Sequence, residues 1–270
     1  MKNLAYIVVM LFVLSSCGEY QKVLNKGTVE EQYKMATKMY EAQKYSKALR
    51  LLEKIVSSYR GKPQMERIKF MVAQCSFNEK SYSLAGYYFD SFVNSFPKSS
   101  KKEEAAFLSA LSYYKAAPVF SLDPTDTNKA LESFQKFIDT YPDSDKLEEA
   151  NKYHAELRAK LERKAFEIAK TYYRTAEYDS RNYKAAIVAF DNLLEDYLGT
   201  KYKEEALYYR LKAAHDLAVK SKLRKKGERI EAALKAYEKL KRNFPESKFM
   251  EESNEMLATL NKEQEQLAKS

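Results

Sequence analysis

The sequence predicts an all-α fold, a helical-hairpin solenoid of five repeats closed by a C-terminal capping helix. Three observations carry this. First, one frame recurs: a small residue, bulky residues four and seven places later, then an aromatic and a proline at eleven and twelve. It runs from Ala85 (Phe89, Phe92, Phe96, Pro97), Ala130 (Phe134, Phe137, Tyr141, Pro142) and Ala233 (Tyr237, Leu240, Phe244, Pro245). It recurs without the proline from Ala48 (Leu52, Ile55, Tyr59, Arg60) and Ala186 (Phe190, Leu193, Tyr197, Leu198). Repetition of one supersecondary unit is the signature of stacked repeats. Second, charged residues are 31% of a chain with only six glycines and six prolines, a helical composition. Third, no sustained period-two alternation bounded by Asn-Gly or Asp-Gly turns is present.

The chain begins with an address. Lys2 precedes the apolar run from Leu4 to Leu14, which ends in Ser15-Ser16-Cys17-Gly18. A basic start, a short apolar core and small residues describe an export signal over residues 1–16. The run falls short of the roughly 20 residues a bilayer span needs. Leu14-Ser15-Ser16-Cys17 resembles the bacterial lipobox. That resemblance implies cleavage before Cys17, acylation of its sulfur and new amino group, and, with Gly18 following, an outer-membrane destination. Residues 17–27 carry no periodicity and read as a lipidated tether. The other cysteine, Cys75, lies in an apolar helix and reads as a small buried hydrophobe.

Residues 28–142 are expected to form repeats 1–3. Thr28 and Glu31 make a capping box at the first helix. First helices carry a second frame, a small residue with aromatics three before and four after: Ala36 (Tyr33, Tyr40), Ala73 (Phe70, Phe77), Ala110 (Phe107, Tyr114) and Ala169 (Phe166, Tyr173). Alanine lets a neighbouring helix approach, and the bulky residues fill the space around it. The third repeat has an insertion around Pro118 and Pro124 between its helices. Asp123, Asp126 and Thr127 there read as a helix start rather than a metal loop.

Residues 143–270 are expected to hold a long linking helix, repeats 4–5 and the capping helix. Leu147, Ala150, Tyr153, Leu157, Leu161 and Phe166 keep helical spacing across the join. The fifth repeat reads as having a basic inter-helix loop, from Lys220 to Gly227. Phe249, Met256, Leu257, Leu260 and Leu267 form the apolar stripe of the capping helix, which covers the last repeat.

No catalytic or metal site is expected. His154 and His215 are the two histidines, and no HExxH, CxxC, GxSxG or Walker pattern occurs. The formal charge of +9 is modest beside 38 acidic residues, so nucleic acid is not an expected partner. No cofactor is implied.

The alanine–aromatic–proline frame resembles the tetratricopeptide repeat, over roughly residues 28–248. Tyrosine or phenylalanine stands where that family has tryptophan, and alanine replaces its usual glycine. The resemblance implies a peptide-binding groove lined by first helices, placing Tyr33, Tyr40, Arg67, Phe70, Gln74, Phe77, Phe107 and Tyr114 on or near it. Five such repeats behind a lipobox, interrupted by a long helix, are similar to the lipoproteins of the outer-membrane β-barrel assembly machinery. Tyr183-Lys184-Ala185-Ala186-Ile187 with Tyr197, and Tyr82-Ser83-Leu84-Ala85 with Phe96-Pro97, carry that likeness. It implies a non-enzymatic, lipid-anchored scaffold on the periplasmic face of the outer membrane. Its N-terminal half would receive unfolded outer-membrane protein segments, and its C-terminal half would hold a barrel-assembly membrane protein. Val188-Ala189 departs from the Asn-Arg that members of that family often carry. The alternative is a tetratricopeptide lipoprotein scaffold coordinating cell-envelope or cell-wall synthesis.

Overall fold

Thr28 opens the first hairpin as its spacing to Glu31 requires. Its hydroxyl accepts the Glu31 amide, and the Glu31 carboxylate accepts the Thr28 amide at 2.8 Å. The computed structural model describes residues 18–269, and the described residues contain helices and no strand. Two compact units divide the chain at Leu157/Arg158. The Cys17 acylation site and the export signal lie outside the described residues.

In the first unit, residues 18–26 form helix α1. Three hairpins follow: α2 (Val29–Glu41) with α3 (Tyr45–Ile55), α4 (Gln64–Asn78) with α5 (Tyr82–Ser95), and α6 (Lys102–Ala116) with α7 (Thr125–Thr140). The first stretch of α8 (Leu147–Thr175) packs on the third hairpin through Ala150, Tyr153 and Leu157. That packing puts the boundary inside α8 rather than at residue 142. The second unit contains the rest of α8, α9 (Arg181–Asp196), α10 (Lys203–Val219), α11 (Leu223–Asn243) and α12 (Met250–Ala268). Helix α12 closes this unit, burying Met256 and Leu260 against α10 and α11.

The recurring frame is the core. Ala48, Ala85, Ala130, Ala186 and Ala233 are all fully buried. So are Phe89, Phe92, Phe134 and Phe190, each contributing about 1.5–3 kcal/mol by leaving water. The aromatic at the eleventh place stops the helix by a common geometry. Phe96, Tyr141, Tyr197 and Phe244 all have φ between −141° and −121° and ψ between 64° and 71°. Each still donates its amide to the carbonyl four residues back. Tyr197 adopts this backbone with Leu198, not proline, behind it, so the proline reinforces the stop without creating it. The first copy differs: a 3-10 turn, Val56–Tyr59, ends it.

Two further expectations need correction. Residues 18–26 are a docked helix rather than a tether. Tyr20 and Leu24 are buried in the first core, and the Tyr20 hydroxyl donates to the Lys47 carbonyl at 3.1 Å. Val23 still accepts the Gly27 amide at 2.9 Å, and the Leu24 carbonyl, orphaned by the end of the helix, accepts side-chain donors instead. The Gln32 amide reaches the Val23 and Leu24 carbonyls, both at 3.2 Å, and the Lys54 ammonium reaches Leu24 at 2.6 Å. The second correction concerns the basic segment, where α11 already begins at Leu223. Gly227 is helical and not a turn; a Cβ there would sit 3.3 Å from Leu267.

Candidate peptide-binding surface

Within the first unit, α2 and α4 bring four of the expected groove residues to one open depression of about 460 Å³. Tyr40 comes from α2, and Arg67, Phe70 and Gln74 come from successive turns of α4. Pro63, Glu66, Met71, Phe92 and Lys101 complete its lining. The i, i+3, i+4 spacing of Arg67, Phe70, Met71 and Gln74 puts them on one helix face.

The depression is polar at its rim and aromatic at its floor. The Tyr40 hydroxyl donates to the Gln74 side-chain carbonyl, leaving the Gln74 NH2 available as a donor. Burial, with smaller contributions from Cys75 and Tyr45, pushes the Tyr40 hydroxyl above its ordinary pKa, so it stays protonated. Arg67 is exposed and lies 3.6 Å from Glu41. Phe70 is only 9% exposed and packs between Phe89 and Phe92, with ring centroids at 5.9 and 5.3 Å. The Lys101 ammonium sits 5.6 Å from the Phe70 centroid and pairs with Glu104 at 2.8 Å. Glu66 accepts the Ser99 hydroxyl at 2.6 Å. Apolar floor, amide donor and guanidinium together suit an extended peptide better than a small polar metabolite.

The other four expected residues do not line this depression. Tyr33 is half-buried against Tyr59 at 5.4 Å. Phe77 meets Tyr82 at 5.5 Å beneath the Lys115 ammonium. Phe107 is 6% exposed, packed on Phe134 and Phe137. Tyr114 lies 4.3 Å from Tyr153 and donates to Glu156 at 2.5 Å. That hydrogen bond and burial push the Tyr114 hydroxyl up to about 12. The two aromatic positions of the first-helix frame therefore differ. Those three places before the alanine fill repeat interiors at Phe70, Phe107 and Phe166, though Tyr33 of the first copy is half-buried, and those four places after (Tyr40, Phe77, Tyr114, Tyr173) stay partly exposed.

Sequence reasoning missed Lys101, although a periodic signal marks it. The residue five places after each stopping aromatic covers the preceding first-helix ring. Lys101 covers Phe70 and Lys146 covers Phe107 at 5.9 Å. In the second unit the covers are aromatic: Tyr202 stacks on Phe166 at 4.6 Å and Phe249 on Tyr208 at 4.1 Å.

Elsewhere the reactive side chains are engaged in packing. Cys75 is fully buried, and burial raises its thiol to about 12, far from thiolate chemistry at neutral pH. His215 Nδ1 lies 2.9 Å from Asp216, which accepts the Tyr173 hydroxyl at 3.0 Å inside the second unit. Among the described residues no group of three or more His, Cys, Asp or Glu side chains could hold a metal ion, and no helix is long and apolar enough to cross a membrane.

The sequence matches the model of the YfiO family, described as outer membrane lipoprotein, over residues 25–230 and 175–270. It is similar to the outer membrane protein assembly factor BamD of Haemophilus influenzae, 24% identical over 77% of this chain and 80% of that protein. It is also similar to BamD of Rickettsia prowazekii, 25% identical over 81% of this chain and 88% of that one. A putative BamD of Aquifex aeolicus is 25% identical over 47% of this chain and 42% of its own length. Among solved structures, a putative kinesin light chain with nearly identical TPR-like repeats from Podosopora anserina covers 90% of this chain and 97% of its own, at 14% identity and a TM-score of 0.33.

Proposed function

The chain belongs to the YfiO family of outer membrane lipoproteins, and from that membership we propose a lipid-anchored scaffold of the outer-membrane β-barrel assembly machinery. The relatives' shared name, outer membrane protein assembly factor, supports this role. The protein works by binding rather than by catalysis, held to the membrane through acyl chains on Cys17. The first unit receives extended segments of unfolded outer-membrane proteins. The second unit holds a BamA-like barrel-assembly membrane protein.

One observation supports the peptide role above all: Tyr40, Arg67, Phe70 and Gln74 converge on a single depression with an apolar floor and polar rim. An apolar or aromatic side chain of the peptide rests on Phe70 and Tyr40, above the buried Met71 and Phe92. Gln74 and Arg67 hydrogen-bond the passing backbone or a carboxylate. The lining comes from helices packed into the repeat cores, and a groove formed before the peptide arrives loses little ordering entropy in the protein. Co-purification from solubilised membranes tests the reading. Recovery of a barrel-assembly membrane protein is expected; recovery of cell-wall synthases in its absence would overturn it.

A further inference from the structure

One end of the second unit gathers two loop tips. The turn between α8 and α9 carries Tyr178, which is 92% exposed, and the turn between α10 and α11 leads into Leu223, 67% exposed. They are neighbours in the fold, because the Lys220 ammonium at the end of α10 donates to the Tyr183 hydroxyl in the first turns of α9, at 2.6 Å. Helix α12 ends beside them: Gly227 abuts Leu267, and Lys226 pairs with Glu263.

The charge around Leu223 is lopsided, whereas the Tyr178 tip carries Glu177 and Asp179, the latter paired with Arg181 at 2.6 Å. Residues 220–229 hold six basic side chains and one acidic one, Glu228. Three of the six are committed within the protein: Lys220 to Tyr183, Lys226 to Glu263 and Arg229 to Ser221. Lys222, Arg224 and Lys225 are exposed, and their side chains make no hydrogen bond or ion pair among the described residues. They surround Leu223 at a helix start, where cations oppose the helix dipole and weaken the protein itself. Helices α10 and α12 of the same unit begin instead with Glu204-Glu205 and Glu251-Glu252. An exposed leucine and an exposed tyrosine on adjacent tips, amid cations with no internal role, fit a phospholipid surface. Tyrosine sits well at the headgroup level, leucine enters the acyl boundary, and Lys and Arg meet anionic phosphates.

We propose that this end of the second unit, through Tyr178, Leu223, Lys222, Arg224 and Lys225, docks on anionic phospholipid headgroups as a membrane contact additional to the acyl anchor. The proposal rests on membership of an outer-membrane lipoprotein family and is independent of the assembly role. The contact holds the second unit against the bilayer, where acyl chains alone tether only the N-terminus.

The chain has no tryptophan, so Leu223→Trp in the full acylated protein is a single reporter. The protein is reconstituted into phosphatidylcholine vesicles with or without phosphatidylglycerol, with brominated acyl chains as quencher. A blue shift and quenching are expected only with phosphatidylglycerol, and both should fade as salt rises. The reporter combined with Lys222→Gln, Arg224→Gln and Lys225→Gln should lose the quenching while its far-ultraviolet circular dichroism is unchanged. Tyr178→Trp should report the same surface. Water-like emission in both vesicles would overturn the proposal, as would equal quenching in both. A blue shift produced by an acidic protein and not by vesicles would overturn it in favour of a protein partner.

Discussion

Gly86 shows how little room the close helix approach leaves. A Cβ at this position would meet the Tyr113 ring at 2.8 Å, and the Ser109 hydroxyl donates to the Gly86 carbonyl at 2.9 Å, tying α5 to α6. Alanine ordinarily gains about 1 kcal/mol over glycine inside a helix. Here Gly86→Ala should instead lose roughly 1–3 kcal/mol from overpacking. Adding Tyr113→Leu should recover part of the loss, as urea midpoints would reveal. The groove needs the same care with residue choice. Phe70 supports the repeat interior, so Phe70→Ala should cost about 3–5 kcal/mol and confuse binding with folding. Arg67 is the cleaner probe, since an exposed pair such as Arg67–Glu41 contributes about 0–1 kcal/mol. Arg67→Ala should weaken peptide binding about tenfold or more, as one charge-assisted hydrogen bond accounts for about 1.5–3 kcal/mol. The thermal midpoint should barely move.

At the scale of the element, the turn after each second helix is a single device used repeatedly. Ser99, Ser144, Thr200 and Ser247 each donate their amide to the stopping aromatic's carbonyl, and each hydroxyl accepts the amide two residues on. The Ser99, Thr200 and Ser247 hydroxyls donate hydrogen bonds to Glu66, Glu162 and Glu204. Leu198 occupies the proline position of this turn and is 81% exposed. Leu198→Pro should therefore stabilise the protein by about 0.4–1 kcal/mol through the unfolded chain. The fourth turn differs from its siblings in Gly199 at φ 79°, and a lower urea midpoint would mean that Leu198 does not hold the φ that proline requires. The closing helix carries a pH dependence. Hydrogen bonds from Lys212 and Tyr208 hold the Glu252 carboxyl below its ordinary 4.5. A depressed folded value gives stability that is complete above the unfolded value and is lost as pH falls through the folded one. Glu252→Gln should lower stability at pH 7 and flatten the loss below pH 4.5, measured by urea unfolding at both. The hairpins were legible because alanine and bulky residues recur at fixed offsets and every such residue is core. Helix α1 was not legible: Tyr20 and Leu24 are one turn apart in nine described helical residues, too short for a period. What holds it comes from distant Gln32, Lys47 and Lys54. The groove was half legible, because spacing picks the face of α4 but does not separate the interior ring of Phe70 from its exposed neighbours. Lys101, supplied by the following turn, lay outside the frame used to find it.

For the whole molecule, the two units divide along the irregularity that interrupts the repeats, the 29-residue α8. The first unit carries the depression proposed for peptides, with lysine covers on its interior rings, and the second carries aromatic covers and the basic segment. Cys17→Ala should release the protein from membranes by removing its acyl chains, and carbonate extraction would detect it; firm attachment in that variant would contradict the acyl anchor. The central claim is a role in assembling outer-membrane β-barrel proteins. Its most direct test is depletion of this protein in its own cells, followed by quantification of folded barrel proteins in the outer membrane. The account predicts that they fall together while other outer-membrane lipoproteins hold their levels. Unchanged barrel proteins after depletion would contradict it.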